Sequence, residues 1–119
     1  MAFLSKKVEE EIQNDLEEII INKLLNGFTN RKERPVIEVE AVNIRNMEID
    51  GENSDRDNII INKVHSYPSV WIKIDNDGSK TNDNFQLSNS KPISFTYDND
   101  KKKYVIQNED QIVFFNTAP

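Results

Sequence analysis

The sequence predicts an α+β, strand-dominated fold: an N-terminal amphipathic helix, then an antiparallel β-sandwich or barrel of about six or seven strands. Three observations carry this. Val8, Ile12, Leu16, Ile19, Ile20 and Leu24 recur at spacings of three and four, the period of a helix with one buried face. Beyond residue 35 the apolar period falls to two, the period of strands. The alternating runs are short and separated by Asn/Asp-rich segments, which make turns. The expected organisation is a helical segment over residues 1–30, serving anchoring or assembly, and an antiparallel β domain over residues 35–119.

The totals agree with one folded domain. At 119 residues a chain buries roughly two-thirds of its unfolded surface. A hydrophobic share of 36% is low but sufficient when it is this periodic. The net charge of −6 weighs against binding duplex DNA, which requires a positive field to displace counterions. The basic groups Arg31-Lys32-Arg34 and Lys101-Lys102-Lys103 read as solvated turns. There is no cysteine, hence no disulfide, thiolate metal site or cysteine nucleophile. The opening "MAFLSKKVEEEI" lacks the apolar core of a signal peptide, and no window approaches the roughly 20 apolar residues of a membrane span. Export by a signal peptide and a membrane partner are not expected.

In the helix, Ser5 is the expected N-cap, and Gly27 stands where a left-handed residue closes the C-terminus. Over its last two turns Ile19, Ile20, Ile21, Leu24 and Leu25 point almost all the way round. An end that is apolar on every side is buried on every side, and one sheet face does not achieve that. The second cover is either another subunit or the loop that follows. Ile20, Ile21, Leu24 and Leu25 are therefore interface candidates, with Ile20→Asp and Leu24→Asp expected to disrupt assembly. Glu9 and Lys23 fall on the seam a coiled coil would need, so none is predicted.

Past the loop "NRKERP", Ile37, Val39 and Ala41 share one face and Glu38 and Glu40 the other. The phase then slips to Val42 and Ile44, followed by Met47 and Ile49. A straight strand over residues 36–50 would reach about 50 Å at roughly 3.3 Å per residue, too long for a domain whose radius of gyration is about 13–14 Å. It must bend or break, and a bulge at residues 41–43 accounts for both slip and length. "IIINKV", "VWIKI", "FQL", "ISFTY", "KYVIQ" and "IVFF" are the further strands. In the second of these, Trp71 lies opposite Val70, Ile72 and Ile74, which makes it the leading interface candidate of the β domain.

The triplet Asp-Asn-Asp occurs twice, at residues 75–77 and 98–100. A calcium loop of the helix-loop-helix kind places oxygen ligands at positions 1, 3 and 5, Gly at 6 and Glu at 12. With Gly78 at position 6, Asp75 and Asp77 fit, but Lys73 and Asn84 occupy positions 1 and 12. The second triplet has no glycine and runs into three lysines, so residues 98–101 are expected to close a hairpin. Both triplets read as corners, with an irregular site shared by Asp75, Asp77 and Asp83 as the alternative. His65 is the sole histidine and has no motif around it; a strand-end surface or core position is expected. No phosphate loop and no singled-out carboxylate pair exists. No catalytic residue, metal ligand or cofactor is predicted, and the chain does not read as an enzyme.

Residues 70–115, with "VWIKIDNDGS", "FQLSNSKPISFTYDNDKKKYVIQ" and a final "QIVFF", resemble the β domains of small bacteriophage virion proteins: head fibres, decoration proteins and tail or attachment components. The resemblance implies a non-catalytic structural role in the virion, or in the host cytoplasm before assembly. It implies a helix that anchors and a β domain that projects or binds, with partners being further copies of the chain and other virion proteins. Since chain termini are mobile unless tied down, both ends of such a subunit are expected to be held. Two other readings come from the residues. Asp55, Asp57, Asp75, Asp77 and Asp83 would let an acidic module imitate phosphate and inhibit a host nucleic-acid enzyme. Trp71, Phe95, Tyr97, Tyr104 and Phe114 would form a stacking platform on a single-strand-binding barrel, although alternation assigns Phe95 and Phe114 to the core. Overall, nucleic acid is not an expected partner.

Overall fold

Ser5 starts the helix as expected. In the computed structural model, which describes residues 5–30, 32–75 and 77–117, its hydroxyl accepts the N–H of Val8 at 3.3 Å. Arg31, Asn76 of the first triplet, and the two chain ends expected to be held lie outside the described residues. Helix α1, Lys6–Leu25, buries Ile12, Leu16, Ile19, Ile20 and Leu24. It ends on Asn26, whose N–H returns to Lys23 C=O, and Gly27 follows at φ +92°, the left-handed closure that glycine accepts without strain.

Nine strands follow among the described residues: β1 Val36–Ala41, β2 Ile44–Ile49, β3 Asn58–Ser66, β4 Ser69–Lys73, β5 Lys80–Asn84, β6 Leu87–Asn89, β7 Ile93–Asp98, β8 Lys103–Ile106 and β9 Phe114–Asn116. A short 3-10 turn, Glu109–Gln111, precedes the last of them. All pairings are antiparallel, in a small sheet of order β1-β4-β5 and a larger one of order β8-β7-β3-β6-β9, with β2 on the opposite edge of β3. The strand-dominated α+β prediction holds, and the architecture is sandwich-like. Two strands exceed the expected count. One is β5, whose residues Lys-Thr-Asn-Asp-Asn give no apolar signal because it forms an edge of the small sheet.

The other comes from residues 36–50. The bulge expected at residues 41–43 is a full break, where the chain leaves the small sheet as β1 and enters the large one as β2. The register of β1 against β4 also shifts between Val36 and Glu38. That shift turns Val36 into the core and leaves Ile37 45% exposed, so Ile37, Val39 and Ala41 do not share a buried face. In β3 the register against β2 skips Asn62, which lets Ile59, Ile61 and Val64 all point inward despite their uneven spacing.

One apolar cluster joins helix and sheets, with Leu16, Ile20, Val70, Ile72, Phe85 and Phe95 among its members. Helix α1 packs against β1 of the small sheet and β8 of the large one, so chain covers it on two sides.

Asparagine side chains complete the ladders where backbone pairing stops. Between β6 and β7 the chain bows away from β3, and Asn89, 1% exposed, fills the gap. Its Oδ1 accepts the N–H of Val64 at 2.8 Å, while Nδ2 donates to Asn62 C=O at 3.1 Å and Lys91 C=O at 2.6 Å. Asn108 does the same for β7, accepting from Ser94 N–H and donating to Pro92 C=O, both at 3.0 Å. Buried backbone groups require partners, and an amide, with one acceptor and two donors, imitates a peptide unit.

Candidate functional site

The interface candidates separate into buried and exposed groups. Ile20 and Leu24 are 0% and 1% exposed within the chain's own core, which corrects their assignment to a contact with another subunit. Because β1 and β8 flank the helix from different sheets, two apolar faces are covered without a second copy. The loop after the helix contributes as well: Phe28 packs against the core with its ring 5.4 Å from that of Phe85. Ile21 stays half-buried and Leu25 is 48% exposed.

Trp71 lies on the small sheet on the side away from Val70 and Ile72, as alternation predicts. It is half-buried and stands between Glu38 and Asn82 in the ladder. Lys80 Nζ is 4.9 Å from the ring centroid and 3.2 Å from Glu38 Oε2, and Asn82 Nδ2 donates to Glu40 Oε2 at 3.1 Å. The indole thus sits in a frame of paired charge and amide. Two carboxylates beside it make poor neighbours for a phosphate backbone. The other aromatics do not join it. Phe95 and Phe114 are in the core as expected, 0% and 5% exposed, and Tyr97 and Tyr104 meet edge to face at 5.2 Å across β7 and β8.

The acidic triplets are corners. Asp98 Oδ1 accepts the N–H groups of Asp100 at 2.8 Å and Lys101 at 3.0 Å. The turn closes two residues later than expected, pairing Asp98 with Lys103 and placing Lys102 at φ 56°. Asp77 Oδ1 likewise accepts from Ser79 N–H and hydroxyl at 3.0 and 2.7 Å, with Gly78 at φ +96°. Asp50 and Asp55 hold their turns in the same manner. Asp83 is apart from these, in β5, where it accepts from Asn30 Nδ2 at 3.4 Å. Its ladder partner Val70 lies three residues before Lys73, about 10 Å up the strand from the turn. Among the described residues no group of three or more His, Cys, Asp or Glu side chains is placed to hold a metal ion.

The turn bonds hold the carboxyls of Asp98 and Asp77 below the ordinary aspartate value, the first through the N–H of Lys101 and the second through the side chain and N–H of Ser79. A depressed folded-state value stabilises the fold above the ordinary aspartate value, and that contribution is lost as pH falls through the depressed one. Carboxyl NMR titration is therefore expected to find Asp98 and Asp77 titrating below the ordinary aspartate range, with the turn amides of Asp100 and Lys101 losing protection as Asp98 takes up its proton.

The lysines after the second triplet lie beside helix α1, with Lys103 Nζ 4.0 Å from Asp15 Oδ1, rather than in a free basic patch. His65 is on the surface near the end of β3, its Nε2 2.8 Å from Glu48 Oε2. Within the described residues, no helix is long and apolar enough to cross a membrane.

One surface escaped the sequence analysis. Val113 is 60% and Phe115 42% exposed on either side of buried Phe114, next to a groove of about 280 Å³ lined by Lys23, Phe28, Ile112 and Val113 among others. Adjacent Phe114 and Phe115 cannot both face one core, so "IVFF" carried the signal: a strand apolar on both faces asks for cover on both.

The molecule is thus a helix-backed, two-sheet antiparallel β domain with an apolar edge strand and an aromatic set in a charged frame. No protein-family model matches the chain, and neither curated proteins nor solved structures give a significant match.

Proposed function

We propose that this chain is a non-catalytic structural subunit of a bacteriophage virion, a capsid or tail component that assembles with itself and with other virion proteins through its helix and β domain. The observation that carries the reading is the exposed apolar pair formed by Phe115 on edge strand β9 and Val113 just before it, within residues 112–117, which carry no charge. Sheet edges left apolar invite pairing, and charge is the usual protection. Here β1 carries Glu38 and Glu40, β5 carries Lys80 and Asp83, and β8 carries Lys103. Copies of a chain with net charge −6 repel one another, so a neutral apolar edge is where self-association costs least. Leu25, Ile21 and Trp71, exposed or half-buried, are further contact candidates. The likeness of residues 70–115 to phage virion β domains supplies the biological setting.

The test is molar mass by size-exclusion chromatography with light scattering at low and moderate salt. A discrete oligomer that persists in salt is expected. The double variant Val113→Asp/Phe115→Asp should dissociate it by about 2 kcal/mol or more, roughly 30-fold in Kd, with unchanged circular dichroism. A wild-type monomer at every concentration would sink the reading.

A further inference from the structure

Among the described residues of the loop between α1 and β1, two cations are left without a counter-charge by the fold. Among the described residues Lys32 and Arg34 form no ion pair, in a chain with 21 acidic residues against 15 basic ones. The loop presenting them is firmly built. Asn30 Oδ1 accepts the N–H of Lys32 at 3.0 Å and of Arg34 at 2.9 Å, and Thr29 bridges to Pro35. Glu33 sits at φ 59°, a conformation that side-chain-bearing residues seldom adopt. The Arg34 guanidinium donates to Ile74 C=O, which fixes its direction and leaves other N–H groups available.

Both cations line a cleft of about 520 Å³ between this loop and β5, with Ile72 and Ile74 as its apolar part and Thr81, Asn82, Asp83 and Asn84 along one side. That volume is in the range of small-ligand sites. Strand β5 is an open edge of the small sheet. Ile74 N–H donates to Ser79 C=O and Phe85 N–H to Pro68 C=O, and this phase puts the bonded pairs at Ile72–Thr81 and Val70–Asp83. The N–H and C=O of Asn82 therefore turn outward, away from β4. The Thr81 hydroxyl and the Asn84 amide form no hydrogen bond with the described chain.

We infer that this cleft binds a small hydroxylated anion, an acidic sugar bearing one carboxylate or phosphate. Two cations against the single carboxylate of Asp83 leave the cleft lining suited to one anionic group. Arg34 and Lys32 take the anionic group by charge-assisted hydrogen bonds. The Thr81 hydroxyl, the Asn84 amide and the outward backbone of Asn82 pair with hydroxyls, which need both donors and acceptors. The site does not depend on assembly, and a monomer has all of it.

The test is an amide NMR titration of the full chain with glucuronate, glucose 6-phosphate, glucose and inorganic phosphate. Saturable shifts at Lys32, Arg34, Asn82 and Asn84 are expected with at least one of the two acids, and the stronger of them identifies carboxylate or phosphate as the recognised group. Neutral glucose should bind about tenfold more weakly or worse, as should the acid to Lys32→Gln, the loss of one charge-assisted bond. Lys32 is the first variant because its side chain supports no other part of the fold; Arg34→Gln, checked for folding by circular dichroism, is the second. Shifts that fail to saturate, that ignore Lys32→Gln, or that inorganic phosphate reproduces at equal affinity would overturn the inference.

Discussion

Leu24→Asp is expected to unfold the chain, and Leu25→Asp, one residue further on, is expected to leave it folded. Leu24 is 1% exposed in the cluster that joins helix and sheets, whereas Leu25 is 48% exposed. Truncating a buried leucine to alanine already costs about 2–5 kcal/mol. An aspartate there must also either lose its hydration without a partner or take up a proton, each adding several kcal/mol. The sum approaches the whole stability of a typical domain, about 5–15 kcal/mol. Ile20→Asp, at a residue 0% exposed, should behave as Leu24→Asp does. At Leu25 the change is a surface substitution, within about 0.5 kcal/mol. Urea titration followed by far-ultraviolet circular dichroism distinguishes the pair. A folded Leu24→Asp protein that had merely lost its oligomeric state would return that leucine to a contact between copies.

The contrast also marks how far the sequence could be read. The period of the helix and the alternation through Val70 and Ile72 or Ile93 and Phe95 were legible, because a buried face leaves a periodic trace whatever covers it. What covers it leaves none. The apolar helix end is buried only in part: Ile19, Ile20 and Leu24 are covered by two sheets of one chain, whereas Ile21 stays half-buried and Leu25 is exposed. Strand β5 was illegible for the opposite reason: an edge strand of Lys-Thr-Asn-Asp-Asn buries no apolar side chain and is held by its ladder with β4. The apolar β9 rim was written in "IVFF", since neighbouring phenylalanines in a strand face opposite ways. The cleft was beyond reach, because Lys32 and Arg34 meet Thr81 and Asn84 only after β4 and β5 have paired. Asparagine was read as turn chemistry alone, yet part of its abundance serves the ladders at Asn89 and Asn108.

Asn89→Leu should therefore destabilise the protein far more than its similar volume suggests, by about 2–5 kcal/mol. The leucine leaves the N–H of Val64 and the carbonyls of Asn62 and Lys91 without the partners Asn89 gives them, and each buried orphan costs about 1–3 kcal/mol. Partial relaxation of the bow between β6 and β7 sets the lower end of that range. Asn89→Asp separates the hydrogen bonds from the packing. Its carboxylate still accepts from Val64 N–H but faces two carbonyl oxygens without a donor, at a site that excludes water. Burial and those carbonyls raise its pKa in the folded state. A raised value means that stability is present below the unfolded-state pKa, when the acid is protonated and donates, and is lost as pH rises through the folded one. Urea midpoints should thus fall from pH 4 to pH 7 in Asn89→Asp relative to the wild type, opposite in sign to the contribution of Asp98. Hydrogen exchange at the Val64 amide gives the local readout, with protection reduced in Asn89→Leu and retained in Asn89→Asp at low pH. Equal stability of Asn89→Leu and wild type would mean that the ladder closes without the asparagine.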